Sequence, residues 1–186
     1  MKNDLVKTAL AGFVFLLLAL VALEGIASFF PSAFSSFESL VVQYGLVGTF
    51  ALIFLGSSLI PFPVDIVFTY SAVLSTDLLL LIVVAVVASF LGSLVNYAIA
   101  LLLREKFVLR FVKEKDLEQA RKTVDAYGPW AIIVFGVLPA SPLIDPLTFL
   151  AGLSKMSFKK FVVFLFASKV IHFALLAGLA NLFSLG

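Results

Sequence analysis

The chain has 186 residues, of which 62% are hydrophobic and 13% are charged, and its formal net charge is +2. Soluble domains are about half apolar and about a quarter charged, so this composition indicates an integral membrane protein. The sequence has no cysteine and a single histidine, which excludes disulfides, thiol nucleophiles and a multi-histidine metal site. The small net charge gives no support for nucleic-acid binding, and we predict no cofactor and no metal.

The first predicted element is a transmembrane helix, which with its connector occupies residues 1–39. The apolar run 5–30 is interrupted only by Lys7 and Glu24, and it is long enough to cross ~30 Å of hydrocarbon. A cleaved signal peptide is the alternative, because Lys2 and Lys7 resemble a basic leader. The run is long for a leader, however, and no small-x-small cleavage site follows it.

Residues 40–75 form an apolar segment that is broken by Pro61 and Pro63 and followed by Asp65. Two prolines at this spacing cannot lie inside an uninterrupted helix, and each arm is short for a span. We therefore predict a re-entrant hairpin, since irregular backbone at this depth is tolerated only where protein or a wet cavity surrounds it. Full spans remain the alternative.

The next predicted elements are a span over 78–103 and a charged segment over 104–125. Within the span, Gly92 is predicted to permit close helix packing, and Asn96 to join helices by a hydrogen bond. The charged segment carries seven Lys or Arg residues with apolar residues at helical spacing. That pattern predicts an amphipathic helix on the cytoplasmic membrane surface.

A second broken segment occupies residues 127–153, with Pro139 and Pro142 at its centre and Asp145 just after them. It is predicted to be a second re-entrant hairpin, in which Gly152 permits close packing. The last predicted span covers residues 157–183.

Four ionisable residues are predicted inside the membrane, where a charge costs ~2.5–3.5 kcal/mol and usually marks function. Asp65 and Asp145 are candidate proton- or substrate-binding acids, with helix capping as the alternative. Lys169 lies too deep to reach either surface, so Asp65 or Asp145 is its expected partner, and a purely structural ion pair is the alternative. His172 lies one turn later on the same face and is a candidate proton relay, anion contact or interhelical hydrogen-bond donor.

The charge distribution predicts the orientation. If both broken segments are hairpins, every basic residue except Lys169 falls on one side of the membrane. Because Lys and Arg collect on the cytoplasmic side, we expect a plasma-membrane protein with its N-terminus inside and its C-terminus outside.

The two halves of the chain repeat the same order of parts. Each begins with Tyr-Gly, at Tyr44-Gly45 and Tyr127-Gly128, and continues with a double-proline break, an aspartate and one long span. The predicted fold is therefore an all-α membrane protein built as an inverted repeat of hairpin plus span, with an extra N-terminal helix. In transporters of this type the substrate site lies near the midplane, where the repeats meet.

At these residues the sequence resembles the DedA family, whose members share the VTT (SNARE-associated) domain, over roughly residues 44–182. The motifs that carry the resemblance are Tyr44-Gly45, Pro61-Phe62-Pro63-Val64-Asp65, the patch from Gly92 to Tyr97, Tyr127-Gly128, and Ala151-Gly152-Leu153-Ser154-Lys155-Met156 with Phe161. The YqaA-like branch is the most similar, on Leu138-Pro139, Asp145, Ala151-Gly152 and Lys169 three before His172.

The resemblance implies a transporter. The main branch resembles proton-coupled lipid-carrier transporters, including polyprenyl phosphate flippases, and eukaryotic relatives are lipid scramblases. Expected partners are membrane lipids such as polyprenyl phosphate or phospholipid, protons, and further copies of the chain. The main branch has arginines three before and three after the second hairpin's first proline, where this chain has Gly136 and Pro142. Phosphate recognition therefore does not transfer residue by residue.

Three functions follow from these observations. The first is proton-coupled flipping of a lipid or lipid-linked phosphate. The alternatives are a scramblase without ion coupling and a non-transporting protein that organises the membrane. We expect no enzymatic activity, because the sequence lacks the Tyr-Asp and Gly-x-Gly-Asp pair of intramembrane aspartyl proteases and the Gly-x-Ser-Gly context of a serine hydrolase.

Overall fold

The computed structural model describes residues 31–58, 63–103, 105–110, 112–139, 141, 143–154 and 156–184. The helix predicted within residues 5–30 lies outside the described residues, as do Pro61 and Pro142. Contacts divide the chain into two compact units, Met1–Ser39 and Leu40–Gly186. The fold described below is that of the second unit.

All regular structure in the described part of the chain is helical. The helices are α1 (Pro31–Gly56), α2 (Val64–Leu74), α3 (Leu78–Leu103), α4 (Glu105–Val108), α5 (Glu114–Tyr127), α6 (Trp130–Val137), α7 (Ile144–Leu153) and α8 (Phe158–Ser184). Three stretches within the described residues are long and apolar enough to cross a membrane, namely Phe37–Gly56, Leu78–Leu103 and Phe158–Ala180.

Helix α1 is interrupted at Gly45, whose backbone is non-helical with φ 53° and ψ −128°. Glycine alone adopts such angles readily, because it has no Cβ. The stretch after the kink, residues 46–56, is about 16 Å long, and α2 has the same length. A span of the hydrocarbon core needs ~30 Å. We call residues 46–74 the first broken segment.

A second pair of short helices follows Gly128, which has φ 58° and ψ −146° and caps the end of α5. Its N–H donates to the carbonyl of Val124. Helix α6 has 8 residues and α7 has 10, so each is shorter than a membrane span. We call residues 130–153 the second broken segment.

The long helices α3 and α8 pack against each other and against both broken segments. The most extensive contact is between α3 and α7, while α8 packs on α6 and α2. Two glycines permit these approaches. A Cβ on Gly92 would lie 2.6 Å from the carbonyl oxygen of Phe54, and a Cβ on Gly152 would clash with the carbonyl oxygen of Tyr97.

An aromatic corner fixes the turn from the second broken segment into α8. The ring of Tyr97 stacks on Phe161, with centroids 4.5 Å apart. Its hydroxyl donates to the carbonyl of Met156 at 2.7 Å. A buried hydroxyl with its own acceptor adds direction to apolar packing, so this corner sets how α3 meets the start of α8.

The charged segment predicted as a single amphipathic helix over 104–125 differs in the structure. It contains two helices, α4 and α5, separated by a turn. Val108, Leu117 and Ala120 are buried in a cluster with Leu147 and Leu150. These buried residues therefore pack on the second broken segment, because α7 offers them a complementary apolar surface.

The outer surfaces of α3 and α8 are apolar. Leu79 is 73% exposed, Leu102 is 76% exposed and Val163 is 64% exposed. Soluble monomers rarely expose apolar surface on this scale in one continuous patch. The fold therefore requires an apolar solvent, which a lipid bilayer supplies.

Candidate functional site

The predicted ionisable residues meet where the two broken segments face α3 and α8. Asp65 is 6% exposed, Lys169 5% and His172 6%, and Asp145 is partly buried. Asp65 lies in the first turn of α2, and Asp145 lies in the first turn of α7. Each proline break thus starts a helix whose positive N-terminal end favours a carboxylate.

His172, on α8, contacts both broken segments. Its Nε2 lies 3.0 Å from Oδ1 of Asp65, just after the first break. Its Nδ1 lies 3.2 Å from the carbonyl oxygen of Val137, just before the second break. A single side chain therefore joins α8 to both segments.

The hydrogen-bond chemistry fixes a proton between His172 and Asp65. The Val137 carbonyl can only accept, so Nδ1 must carry a hydrogen and donate it. A neutral imidazole protonated on Nδ1 has a bare lone pair on Nε2, which cannot bond an ionised carboxylate. The 3.0 Å contact therefore needs a proton, either on Nε2 or on the carboxyl group of Asp65. Loss of that proton leaves a single N–H on the ring, so His172 can then donate to Asp65 or to Val137, but not to both.

Lys169 lies one turn before His172 on α8, and its ammonium group interacts electrostatically with Asp145 and, more weakly, with Asp65. The sequence predicted one of these two partners without choosing between them. A buried cation is tolerated only when an opposite charge compensates it. In their charged forms Lys169 and Asp145 offset each other, and the shared proton neutralises the Asp65–His172 pair.

Asn96, on α3, also contacts both broken segments. Its Nδ2 donates to the carbonyl oxygen of Ser57 at 3.2 Å and to Oγ1 of Thr148 at 3.3 Å. The Thr148 hydroxyl donates its own hydrogen to the carbonyl of Asp145, so it can only accept from Asn96. Both partners are acceptors, and this fixes the orientation of the amide.

Further polar groups surround Asn96 and His172. The hydroxyl of Ser57 donates to that of Ser89 at 2.8 Å. Four buried polar atoms in the described part of the chain have no hydrogen-bond partner, namely Ser93 Oγ, Asn96 Oδ1, Ser141 Oγ and Ser168 Oγ. An unsatisfied buried group costs roughly 1–3 kcal/mol, and such groups are common where a ligand or an ion binds.

The remaining predicted residues surround this site. Pro63 precedes α2 as its N-cap residue, and Pro139 lies in the turn after α6. Gly136 packs against α8, and a side chain there would occupy the positions of the Ser168 hydroxyl and of Ile144. This packing leaves no room for an arginine at position 136. The nearest basic groups of the site, Lys169 and His172, come from α8 instead.

Sequence reasoning missed three contributors to the site, namely the carbonyls of Ser57 and Val137 and the hydroxyl of Thr148. Main-chain carbonyls carry no sequence signature. Thr148 was recognisable only as a polar residue in an apolar stretch, three residues after Asp145.

Two pockets open at opposite ends of α3. One, of about 880 Å³, is lined in part by Leu101, Arg121 and Ser154. The other, of about 450 Å³, is lined in part by Thr49 and Leu80. Leu80 and Leu101 are about 30 Å apart along the helix, so the pockets are separated by about one hydrocarbon thickness. Among the described residues, no group of three or more His, Asp or Glu side chains could hold a metal ion.

Comparison with known proteins gives a consistent match. The family model described as VTT domain matches residues 60–182. The chain is 29% identical to undecaprenyl phosphate transporter A of Staphylococcus aureus, over 73% of each chain. It is 27% identical to the membrane protein YbfM of Bacillus subtilis, over 68% of this chain and 83% of that one. It is 23% identical to protein MJ0201 of Methanocaldococcus jannaschii, over 72% of this chain and 82% of that one. No solved structure gives a significant match.

Proposed function

Because this chain belongs to the VTT-domain (DedA) family of membrane proteins, we propose that it moves a lipid-linked phosphate across the bilayer and couples that movement to protons. The observation that carries the proposal is the pair of contacts that the buried His172 makes with Asp65 and Val137, which reach both broken segments and coexist only while the His172–Asp65 pair holds a proton. The relative named undecaprenyl phosphate transporter A supports a polyprenyl phosphate as substrate.

The two broken segments act as re-entrant hairpins of an inverted repeat. Two features support this. Gly45 and Gly128, at equivalent places before the two segments, have the same backbone conformation. In addition, α8 uses His172 to contact the first segment after its break and the second before its break. Asn96 of α3 contacts the first segment before its break and the second segment after its break. A two-fold axis in the membrane plane relates such contacts.

Lys169 receives the phosphate group. It is the buried cation nearest the pair, and its present compensation comes mainly from Asp145. An anionic headgroup that displaces Asp145 leaves a buried carboxylate without a cation, which is costly. Uptake of a proton by that carboxylate restores neutrality, so the charge balance of the site requires a proton to accompany the phosphate.

The two contacts of His172, with Asp65 and with Val137, act as the proton-dependent latch between the hairpins. With the extra proton, His172 donates to both segments at once. Without it, the ring has one N–H and can hold only one of the two segments. Of the other ionisable groups, Lys169 interacts with Asp65 of the latch, and Asp145 interacts with Lys169. Helix α3, which packs against α8, has no charged residue, and its buried polar side chains are Ser89, Ser93 and Asn96.

Alternating exposure then uses the two pockets at the ends of α3 as openings toward the two sides of the membrane. The pocket that includes Arg121 lies on the cytoplasmic side in the orientation predicted from the basic residues. The pocket near Leu80 lies on the outer side. The protein resides in the plasma membrane in this proposal.

A flipping assay on purified protein in vesicles tests the proposal. The probe is a fluorescent polyprenyl phosphate, and its exposure at the outer leaflet is followed by chemical quenching with and without an imposed pH gradient. We expect the native chain to accelerate flipping and to respond to the gradient. We expect Asp65→Asn to remove that response. An asparagine amide can donate to Nε2 at any pH, and it does not titrate.

The control is Asp116→Asn, which makes the same chemical change in the first turn of α5, away from the residues that line the two pockets. A gradient response that survives Asp65→Asn would remove the latch from the mechanism. Flipping by the native chain that ignores the gradient would instead identify a scramblase, and no flipping at all would identify a membrane-organising protein.

A further inference from the structure

We propose that Asn96 is the proton-insensitive counterpart of His172, a positioning residue about which the two hairpins pivot when the latch opens. The inference rests on the proposed function, and it assigns to Asn96 a role beyond the helix packing that its sequence position predicts. It begins with the pattern of contacts at the two long helices.

The contacts of Asn96 and His172 are related by exchange of the two halves of the molecule. Asn96 reaches Ser57 before the first break and Thr148 after the second. His172 reaches Asp65 after the first break and Val137 before the second. Exchanging the two segments and the two long helices converts one set of contacts into the other.

The sequence spacing agrees with this pairing to within one helical turn. The interval from Asp65 to Asp145 places His172 opposite Gly92 in the first half. Asn96 lies one helical turn beyond Gly92, on the same face of α3. Gly92 itself allows the close approach, because a Cβ there would lie 2.9 Å from Cβ of Ser57. The small residue at 92 thus brings the first segment within reach of the amide at 96.

The two connections differ in chemistry. The two contacts of His172 can coexist only with an extra proton, whereas an amide does not titrate and keeps both of its donors at any working pH. Asn96 is fully buried, so water does not compete for its partners. When the latch loses its proton, His172 holds only one of the two segments, while Asn96 still holds both beside α3. Movement therefore occurs as rotation about Asn96.

The test compares Asn96→Leu with Tyr97→Phe. Leucine has the same number and branching of side-chain heavy atoms as asparagine but no donors, so it removes the pivot. Tyr97→Phe removes a different buried hydrogen bond from the same helix and leaves the pivot intact. In the flipping assay, we expect Asn96→Leu to lower the maximal rate about tenfold, the effect of losing two buried hydrogen bonds. The lipid concentration at half-maximal rate is expected to change less than twofold, because the residue positions the hairpins and does not bind the phosphate.

A second readout does not depend on transport. Since the chain has no cysteine, spin labels can be attached specifically to cysteines introduced at Val73 and Val134, which are exposed on α2 and α6. We expect the distance between the labels to switch between two narrow distributions as pH rises in the otherwise native chain and in Tyr97→Phe. In Asn96→Leu we expect one broad distribution at every pH.

The outcomes separate the pivot from the proposed function. Narrow, pH-switching distances in Asn96→Leu would overturn the pivot even if the native chain flips lipid. A chain that flips no lipid but shows the broad distribution only in Asn96→Leu would contradict the proposed function and retain the pivot. An equal loss of rate in Tyr97→Phe and Asn96→Leu would reduce Asn96 to one stabilising contact among others and would also overturn the inference.

Discussion

Gly45 and Gly128 adopt the same backbone conformation, with φ of 53° and 58°, although they lie 83 positions apart in the chain. Each follows a tyrosine and precedes a broken segment. Neither has any other heavy atom within 4 Å of the position that a Cβ would take. Lack of space is therefore not the reason why these sites need glycine. The reason is the positive backbone angle φ.

The first prediction follows from that distinction. Gly45→Ala and Gly128→Ala are each expected to lower the free energy of unfolding by about 1–3 kcal/mol, the cost of an L-residue in a region that only glycine favours. The matched control is Gly178→Ala. Gly178 lies in α8, also has open space around its Cβ position, and is expected to gain up to about 1 kcal/mol from better helix propensity. Thermal unfolding in detergent compares the two positive-φ glycines with the helical Gly178. Equal effects at all three glycines would show that the backbone angle is not the reason for glycine at positions 45 and 128.

The second prediction concerns close packing between α6 and α8. Gly136→Ala is expected to destabilise the protein by about 1–3 kcal/mol, because the new methyl group meets the Ser168 hydroxyl and Ile144. Adding Ser168→Ala is expected to recover part of that loss, since it removes the closest clashing atom, which has no hydrogen-bond partner to lose. The measurement is a double-mutant cycle of unfolding free energies. Strictly additive effects would show that the two residues do not touch.

The third prediction concerns the buried cation. Lys169→Met leaves the carboxylate of Asp145 without its main compensation and is expected to cost about 3–5 kcal/mol of stability. The double variant Lys169→Met/Asp145→Asn removes both charges and is expected to regain most of that stability. Lys159→Met is the control, because Lys159 is exposed near the start of α8.

Flipping by the same variants separates structure from function. If Lys169 binds the phosphate, the stable double variant still does not flip polyprenyl phosphate, whereas Lys159→Met behaves as the native chain. A double variant that regains flipping together with stability would reduce the pair to a structural ion pair.

The fourth prediction concerns the aromatic corner. Tyr97→Phe keeps the stack on Phe161 and removes only the hydroxyl that donates to Met156. It is expected to cost about 1 kcal/mol, the net value of one buried hydrogen bond. Phe161→Ala removes the stack and is expected to cost about 3–5 kcal/mol. Chemical denaturation in detergent measures both, and the reverse order would show that the hydroxyl rather than the stack holds this corner.

Much of this organisation could be predicted from the sequence, because membrane proteins show it in composition and in single residues. Long apolar runs predicted the spans over 78–103 and 157–183, and prolines after each Tyr-Gly predicted where helices must break. Lys169 and His172 were predicted to share a face, because their spacing is local. Such features depend on residues close together in the chain.

The pairings at the site could not be predicted, because their partners are distant in the chain. Asn96 finds its acceptors 39 and 52 residues away, and His172 finds Asp65 at a separation of 107. Two of the acceptors are main-chain carbonyls, which every residue has. The segment over 104–125 shows a second limit. An amphipathic pattern predicts that the apolar face of a helix is buried. It does not predict whether lipid or a neighbouring helix such as α7 covers that face.

The burial of α7 has a mechanical consequence. Its residues from Pro146 to Gly152 are buried without interruption, enclosed by α3, α5 and α6. Helix α2, by contrast, presents Val73 and Leu74 outward. Its most extensive contact is with α8, and its Ser71 hydroxyl forms a hydrogen bond with that of Thr49 on α1. A rearrangement that shifted α7 would disturb three neighbouring helices, whereas one that shifted α2 would disturb mainly its contact with α8. The first broken segment therefore has the more compliant surroundings of the two.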